Sequence, residues 1–248
     1  MQSVHLSPVV TLAGTGALLA ATAATVGLSA RGWLLGLAYG LAAAAVLDRA
    51  LARRRRSVIG AADWVTLTRM VLVGGVVALG ADYPSTPTAP LVVLVALALS
   101  LDALDGAVAR HTGTASEFGA RFDMEVDAFL ILALSVLAST LLGPWVIVIG
   151  VARYAFVVAS WSAAWMRRPL PPRFWRKVVA ATQGVVLLVV ISEALPVPVS
   201  AVLAAGALGL LLESFGHDVV WLWRRRRRPL TVAVGAQPRV ASARRPAP

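Results

Sequence analysis

Long apolar runs separated by short polar breaks dominate the chain. A membrane-spanning helix needs about 20 mostly apolar residues. On that rule the pattern predicts spans over 9–28, 33–48, 66–81, 90–110, 122–142, 144–166, 176–195 and 198–222. The second and third are short for a span. Turn residues mark the breaks: SARG at 29–32, DYPSTPTAP at 82–90, GP at 143–144, RRPLPPR at 167–173 and PVP at 196–198. No internal repeat is present. The expected fold is all-α, a polytopic membrane helical bundle. It comprises an N-terminal hydrophobic hairpin (1–48), a basic juxtamembrane stretch (49–65), a six-span core (66–223) and a basic tail (224–248). The stretch 49–65 mixes basic and apolar residues, so it reads either as an amphipathic interfacial helix or as a plain linker. The tail lacks periodicity and is expected to be disordered.

Composition agrees with a membrane protein. Hydrophobic residues make up 58% of the 248 positions, against about 45–50% in soluble domains on a broader count. With no cysteine, disulfides and thiolate metal sites are excluded. The three histidines lack partners at helical spacing, which argues against a zinc site. The single lysine, Lys177, among 23 basic residues is a bias expected of a GC-rich bacterial genome.

The net charge of +11 is unevenly spread. Arg53–Arg56, Arg110 with Arg121, Arg167–Lys177 and Arg224–Arg228 fall at every second loop. The loops between them, from residue 82 on, lack Lys and Arg. The positive-inside rule then puts both ends of the six-span core in the cytoplasm. The first two segments fit as a hairpin returning to the same side, a re-entrant pair or a cleaved signal. The arginine runs are read as topology signals and anionic-lipid contacts, not as a nucleic-acid surface. The expected location is the plasma membrane.

Six of the twelve acidic residues lie between Asp102 and Asp127. Asp102 and Asp105 share a helix face, as do Asp123 and Asp127. Both pairs are expected just below the cytoplasmic surface, joined by the polar loop at 111–118. An aspartate at mid-membrane costs roughly 2.5–3.5 kcal/mol. Protonation would relieve that cost. So would salt bridges to Arg69, Arg110 and Arg121. A hard divalent cation explains the paired spacing better.

These residues form the pattern D-x-x-D-G-x-x-A-R-x8-G-x3-D-x3-D, from Asp102, Asp105, Gly106, Ala109 and Arg110 through Gly119 to Asp123 and Asp127. The chain here resembles the CDP-alcohol phosphotransferases, also called CDP-alcohol phosphatidyltransferases, over about residues 60–222. DWVTLTR adds Asp63, Thr66 and Arg69 at the positions of a second family motif, with Asp63 replacing the usual asparagine.

The resemblance implies transfer of a phosphatidyl group from CDP-diacylglycerol to an alcohol, with release of CMP. It implies two divalent cations, Mg²⁺ or Mn²⁺, on Asp102, Asp105 and Asp123, with Asp127 sharing a metal or acting as base. Asp63, Thr66, Arg69, Gly106, Arg110 and Gly119 would lie against the nucleotide. Relatives often form homodimers. For the acceptor, Arg153 within a span and Arg173 and Lys177 in the basic loop suit a phosphorylated alcohol such as glycerol phosphate or inositol phosphate. Gln183 would face the same cavity. Two other readings, a divalent-cation transporter and an inactive membrane scaffold, fit the same acidic spans less well.

Overall fold

The computed structural model describes residues 6–52, 61–84, 86, 88–112, 117–168, 170–171 and 173–226, with side chains excluded at 6–8, 50–52, 61–63, 103–112 and 117–122. Among the described residues the chain is all-helical. The α-helices are α1 (Leu6–Val26), α2 (Ala30–Ala52), α3 (Ala61–Asp82), α4 (Ala89–Thr112), α5 (Glu117–Leu142), α6 (Ile147–Ser162), α7 (Phe174–Ile191) and α8 (Val197–Arg225). Seven are long and apolar enough to cross a membrane. Among the described residues, the apolar part of α4 is counted over Ala89–Asp102. The protein is a multi-pass helical bundle, as the hydropathy pattern predicts.

The helices run past the predicted spans at several ends. α2 covers 30–52 rather than 33–48, and α5 begins at Glu117 rather than near 122. An apolar window marks the part of a helix that sits in lipid. Backbone hydrogen bonding continues into polar residues until a breaker intervenes. The expected interfacial stretch 49–65 is divided by this extension. Its ends belong to α2 and α3, and residues 53–60 lie outside the described residues, as does the tail from 227. The predicted span 144–166 holds from Pro144 to Ser162, a 3₁₀ turn at Pro144–Val146 leading straight into α6, and breaks at Ala163 before a second 3₁₀ turn at Ala164–Arg167.

Arginines close two helix ends. Arg167 donates to the carbonyls of Ser160 and Trp161 at the end of α6, at 2.9 and 2.8 Å. Arg168 donates to the carbonyls of Arg225 and Arg226 at the end of α8. Helix C-termini carry unsatisfied carbonyls and partial negative charge, so cationic side chains satisfy both. The residues that signal topology in the sequence therefore also terminate helices. We refer to this end of the bundle, with Arg49, the α6–α7 loop and Arg224–Arg226, as the basic end.

The central helix is α3, the most buried of the seven spans. It packs against α1, α2, α4 and α5, and Leu67, Met70, Val73, Val76 and Leu79 are buried along it. Helices in lipid gain little hydrophobic driving force from meeting one another, so close packing of small residues must hold them. Gly36 of α2 illustrates this: a Cβ there would stand 2.9 Å from Leu19 of α1 and 3.0 Å from Ala78 of α3. At the far end, opposite the basic one, Asp82 accepts hydrogen bonds from the Ser29 backbone and hydroxyl, both at 2.6 Å. Tyr83 donates to the Val26 carbonyl at 2.7 Å. The α1–α2 turn, with Gly27 at φ 79°, is thus fastened to the end of α3.

Candidate active site

Three of the four signature aspartates converge. Asp102 comes from the C-terminal half of α4, and Asp123 and Asp127 from the N-terminal half of α5. One carboxylate oxygen from each lies within 4.8 Å of the others. Helical spacing puts Asp123 and Asp127 one turn apart on one face, and that face meets Asp102. The Asp105 side chain lies outside the described residues.

Arg69 completes the cluster from α3. Its side chain is 1% exposed, whereas those of Asp102, Asp123 and Asp127 are 38%, 28% and 37% exposed. One guanidinium nitrogen lies 3.0 Å from Asp102 and also donates to Asp123, and the other donates to Asp127. The planar fork of arginine suits such multiple contacts, where a lysine would offer one point of charge. Salt bridges to Arg69 are therefore one way these acids are tolerated. The side chains of Arg110 and Arg121 lie outside those described. Arg69, expected against a nucleotide, has its guanidinium among the carboxylates.

The donor set also fits a divalent cation. Among the described residues, three carboxylates surround one guanidinium. The donors are hard oxygens, partly exposed and close together, which is the chemistry that binds Mg²⁺ or Mn²⁺. Among the described residues this is the one such acidic group.

The other predicted site residues are more dispersed. Thr66 is buried one turn before Arg69. Asp63 lies on α3, Gly106 and Arg110 on α4 and Gly119 on α5, all among the residues whose side chains are excluded. Arg153 pairs with Glu125, which projects from α5 between Asp123 and Asp127 on another side of the helix. Arg173 and Arg176 flank Asp218 of α8, at 3.7 and 3.3 Å. Lys177 is exposed. Gln183, expected to face the acceptor cavity, is 2% exposed and donates to the Ala207 carbonyl at 2.8 Å, tying α7 to α8. A buried amide in a lipid-embedded bundle finds a neighbouring helix's backbone, because no water competes.

Asp218, 6% exposed, escaped the sequence pattern. It stands outside the acidic stretch and has no acidic partner at helical spacing. The rule that singled out Arg153, an ionisable residue in an apolar run, would have found it.

No curated protein and no solved structure matches the chain. A family model described as CDP-alcohol phosphatidyltransferase matches residues 59–212. That range spans more than half of the chain and contains Arg69 and all four signature aspartates. α1, α2 and the end of α8 lie outside it. With this match and the convergence of the signature carboxylates, the chain belongs to the CDP-alcohol phosphatidyltransferase family.

Proposed function

We propose that the protein is a phospholipid synthase that transfers a phosphatidyl group from CDP-diacylglycerol to an alcohol and releases CMP. The observation that carries this reading is the cluster of Asp102, Asp123 and Asp127 around Arg69, in a chain of this family. The acceptor oxygen bonds to the lipid-side phosphorus. The bridging P–O bond breaks and CMP leaves with the electron pair. Asp127 accepts the hydroxyl proton at a carboxylate oxygen. An ordinary carboxylate is a weak base, so the proton leaves late. Arg69 holds Asp127 and Asp123 in place. Asp102, Asp105, Asp123 and Asp127 would hold two divalent cations, Mg²⁺ or Mn²⁺, which when bound neutralise charge on the pyrophosphate. Asp63, Thr66, Gly106, Arg110 and Gly119 are assigned to the nucleotide side.

For the acceptor, Arg153, Arg173 and Lys177 supply positive charge suited to a phosphorylated alcohol, such as glycerol phosphate or inositol phosphate. The basic loops orient the site toward the cytoplasm, in the plasma membrane. The domain scheme follows from the same reading: an accessory hairpin, a juxtamembrane stretch, a six-span catalytic core and a basic tail. The deciding experiment incubates purified protein with CDP-diacylglycerol, Mg²⁺ and a panel of free and phosphorylated alcohols. A new lipid formed with equimolar CMP identifies the acceptor. No CMP above background with any alcohol would refute the reading.

A further inference from the structure

α1 and α2 lie outside the family match, yet one side chain of α2 reaches the helix that carries Asp127. The ring of Tyr39 packs against that of Phe129 on α5, with centroids 4.9 Å apart and planes inclined by 31°. Phe129 is two residues beyond Asp127. Tyr39 reaches it past α3 at Gly74, where an added Cβ would stand 3.4 Å from the tyrosine ring and 3.1 Å from Thr15 of α1. Gly74 is five residues along α3 from Arg69, about 7.5 Å of helix rise. The aromatic pair thus bridges the seam between α3 and α5, close to where Arg69 meets Asp123 and Asp127.

The element that delivers Tyr39 is firmly held. Its turn is fastened to Asp82 and Tyr83 at the far end of α3. Leu47, two turns beyond Tyr39, belongs to the buried core that Tyr39 and Phe129 both pack against. Aromatic pairs of this geometry are worth about 0.5–1.5 kcal/mol beyond the area they bury.

We propose that Tyr39 is a positioning residue. It braces α5 against α3 so that Asp127 and Arg69 meet, which makes the accessory hairpin part of the catalytic unit. The catalytic aspect rests on the phospholipid-synthase reading above; the positioning aspect does not.

The test uses the full-length protein. Because the chain has no cysteine, Trp64→Cys on α3 and Met124→Cys on α5, both exposed, can carry a pair of spin labels. Their distance distribution is recorded by pulsed electron paramagnetic resonance in nanodiscs. Tyr39→Ala should broaden and lengthen it, and Tyr39→Phe should leave it unchanged. Leu19→Ala, a buried change on the remote side of the hairpin, serves as the stability control and should also leave it unchanged.

In the unlabelled protein, Tyr39→Ala should lower kcat on the order of tenfold, with KM for CDP-diacylglycerol nearly constant. Should Tyr39→Ala fail to fold, Phe129→Leu removes the same ring contact from the other side. Unaltered distances in Tyr39→Ala or Phe129→Leu, or equal broadening in Leu19→Ala, would overturn the proposal. Absence of transfer by the parent protein refutes the synthase reading instead, and the distances still decide the role of Tyr39.

Discussion

Arg69 on α3 donates a hydrogen bond to Asp127 on α5, 58 residues further along the chain. The contact joins the most buried cation among the described residues to the residue proposed as base. It also ties the opening helix of the family domain to the helix that closes the signature.

Asp127→Asn is expected to keep CDP-diacylglycerol binding and to lower transfer by about 100- to 10,000-fold, the range for loss of a positioned base. Parallel measurements of lipid binding and CMP release check this. Full turnover by the variant removes Asp127 from the base role.

Asp102→Asn should raise the Mg²⁺ concentration for half-maximal transfer. Loss of even an outer-shell partner typically weakens metal binding about 10–100-fold, and a direct ligand should cost no less. Titration of CMP release against Mg²⁺ reads the effect, and a chelator should silence the parent protein. An unchanged Mg²⁺ titration curve would count against Asp102 as a ligand.

Arg69→Gln leaves three neighbouring carboxylates without their shared cation. Removing one partner of a buried pair costs about 3–5 kcal/mol, and the partial exposure of these aspartates reduces that to about 1–3 kcal/mol. A lower melting temperature in chelator, partly restored by Mn²⁺, is the expected result. Equal melting temperatures of variant and parent in chelator would show that the cluster does not depend on Arg69.

Gly150→Ala tests packing away from the chemistry. The added Cβ would stand 2.5 Å from the Cα of Leu132 on α5, and a backbone atom cannot step aside as a flexible side chain does. Overpacking of this kind costs about 1–3 kcal/mol. Thermal unfolding should show the loss, while KM for CDP-diacylglycerol remains that of the parent.

Much of this architecture is legible from local spacing. The spans follow from apolar runs, and the pairs at 102/105 and 123/127 follow from helical period. What joins distant segments is not written locally. Arg69 and Asp127 each stand in a motif, but which aspartates the guanidinium meets depends on how helices pack; Asp218 with Arg176 and Tyr39 with Phe129 depend on packing too, and each of those residues alone has an ordinary reading as a core or loop side chain. The ends of α2 and α5 differ from the hydropathy pattern for another reason: hydropathy reports lipid contact and is silent on where a helix stops. Gln183 is polar within a span and so reads as cavity-facing, whereas its amide nitrogen donates to the Ala207 carbonyl of α8.

The latch of Ser29 and Tyr83 has a consequence for biogenesis. The ribosome delivers α1 and α2 before α3, so the accessory pair can already be inserted when the central helix emerges. α3 then meets a partner with a matching glycine seam before α4 and α5 have been made. On this order of events, the segment outside the family domain acts as a scaffold during synthesis, and its removal should lower the yield of inserted protein.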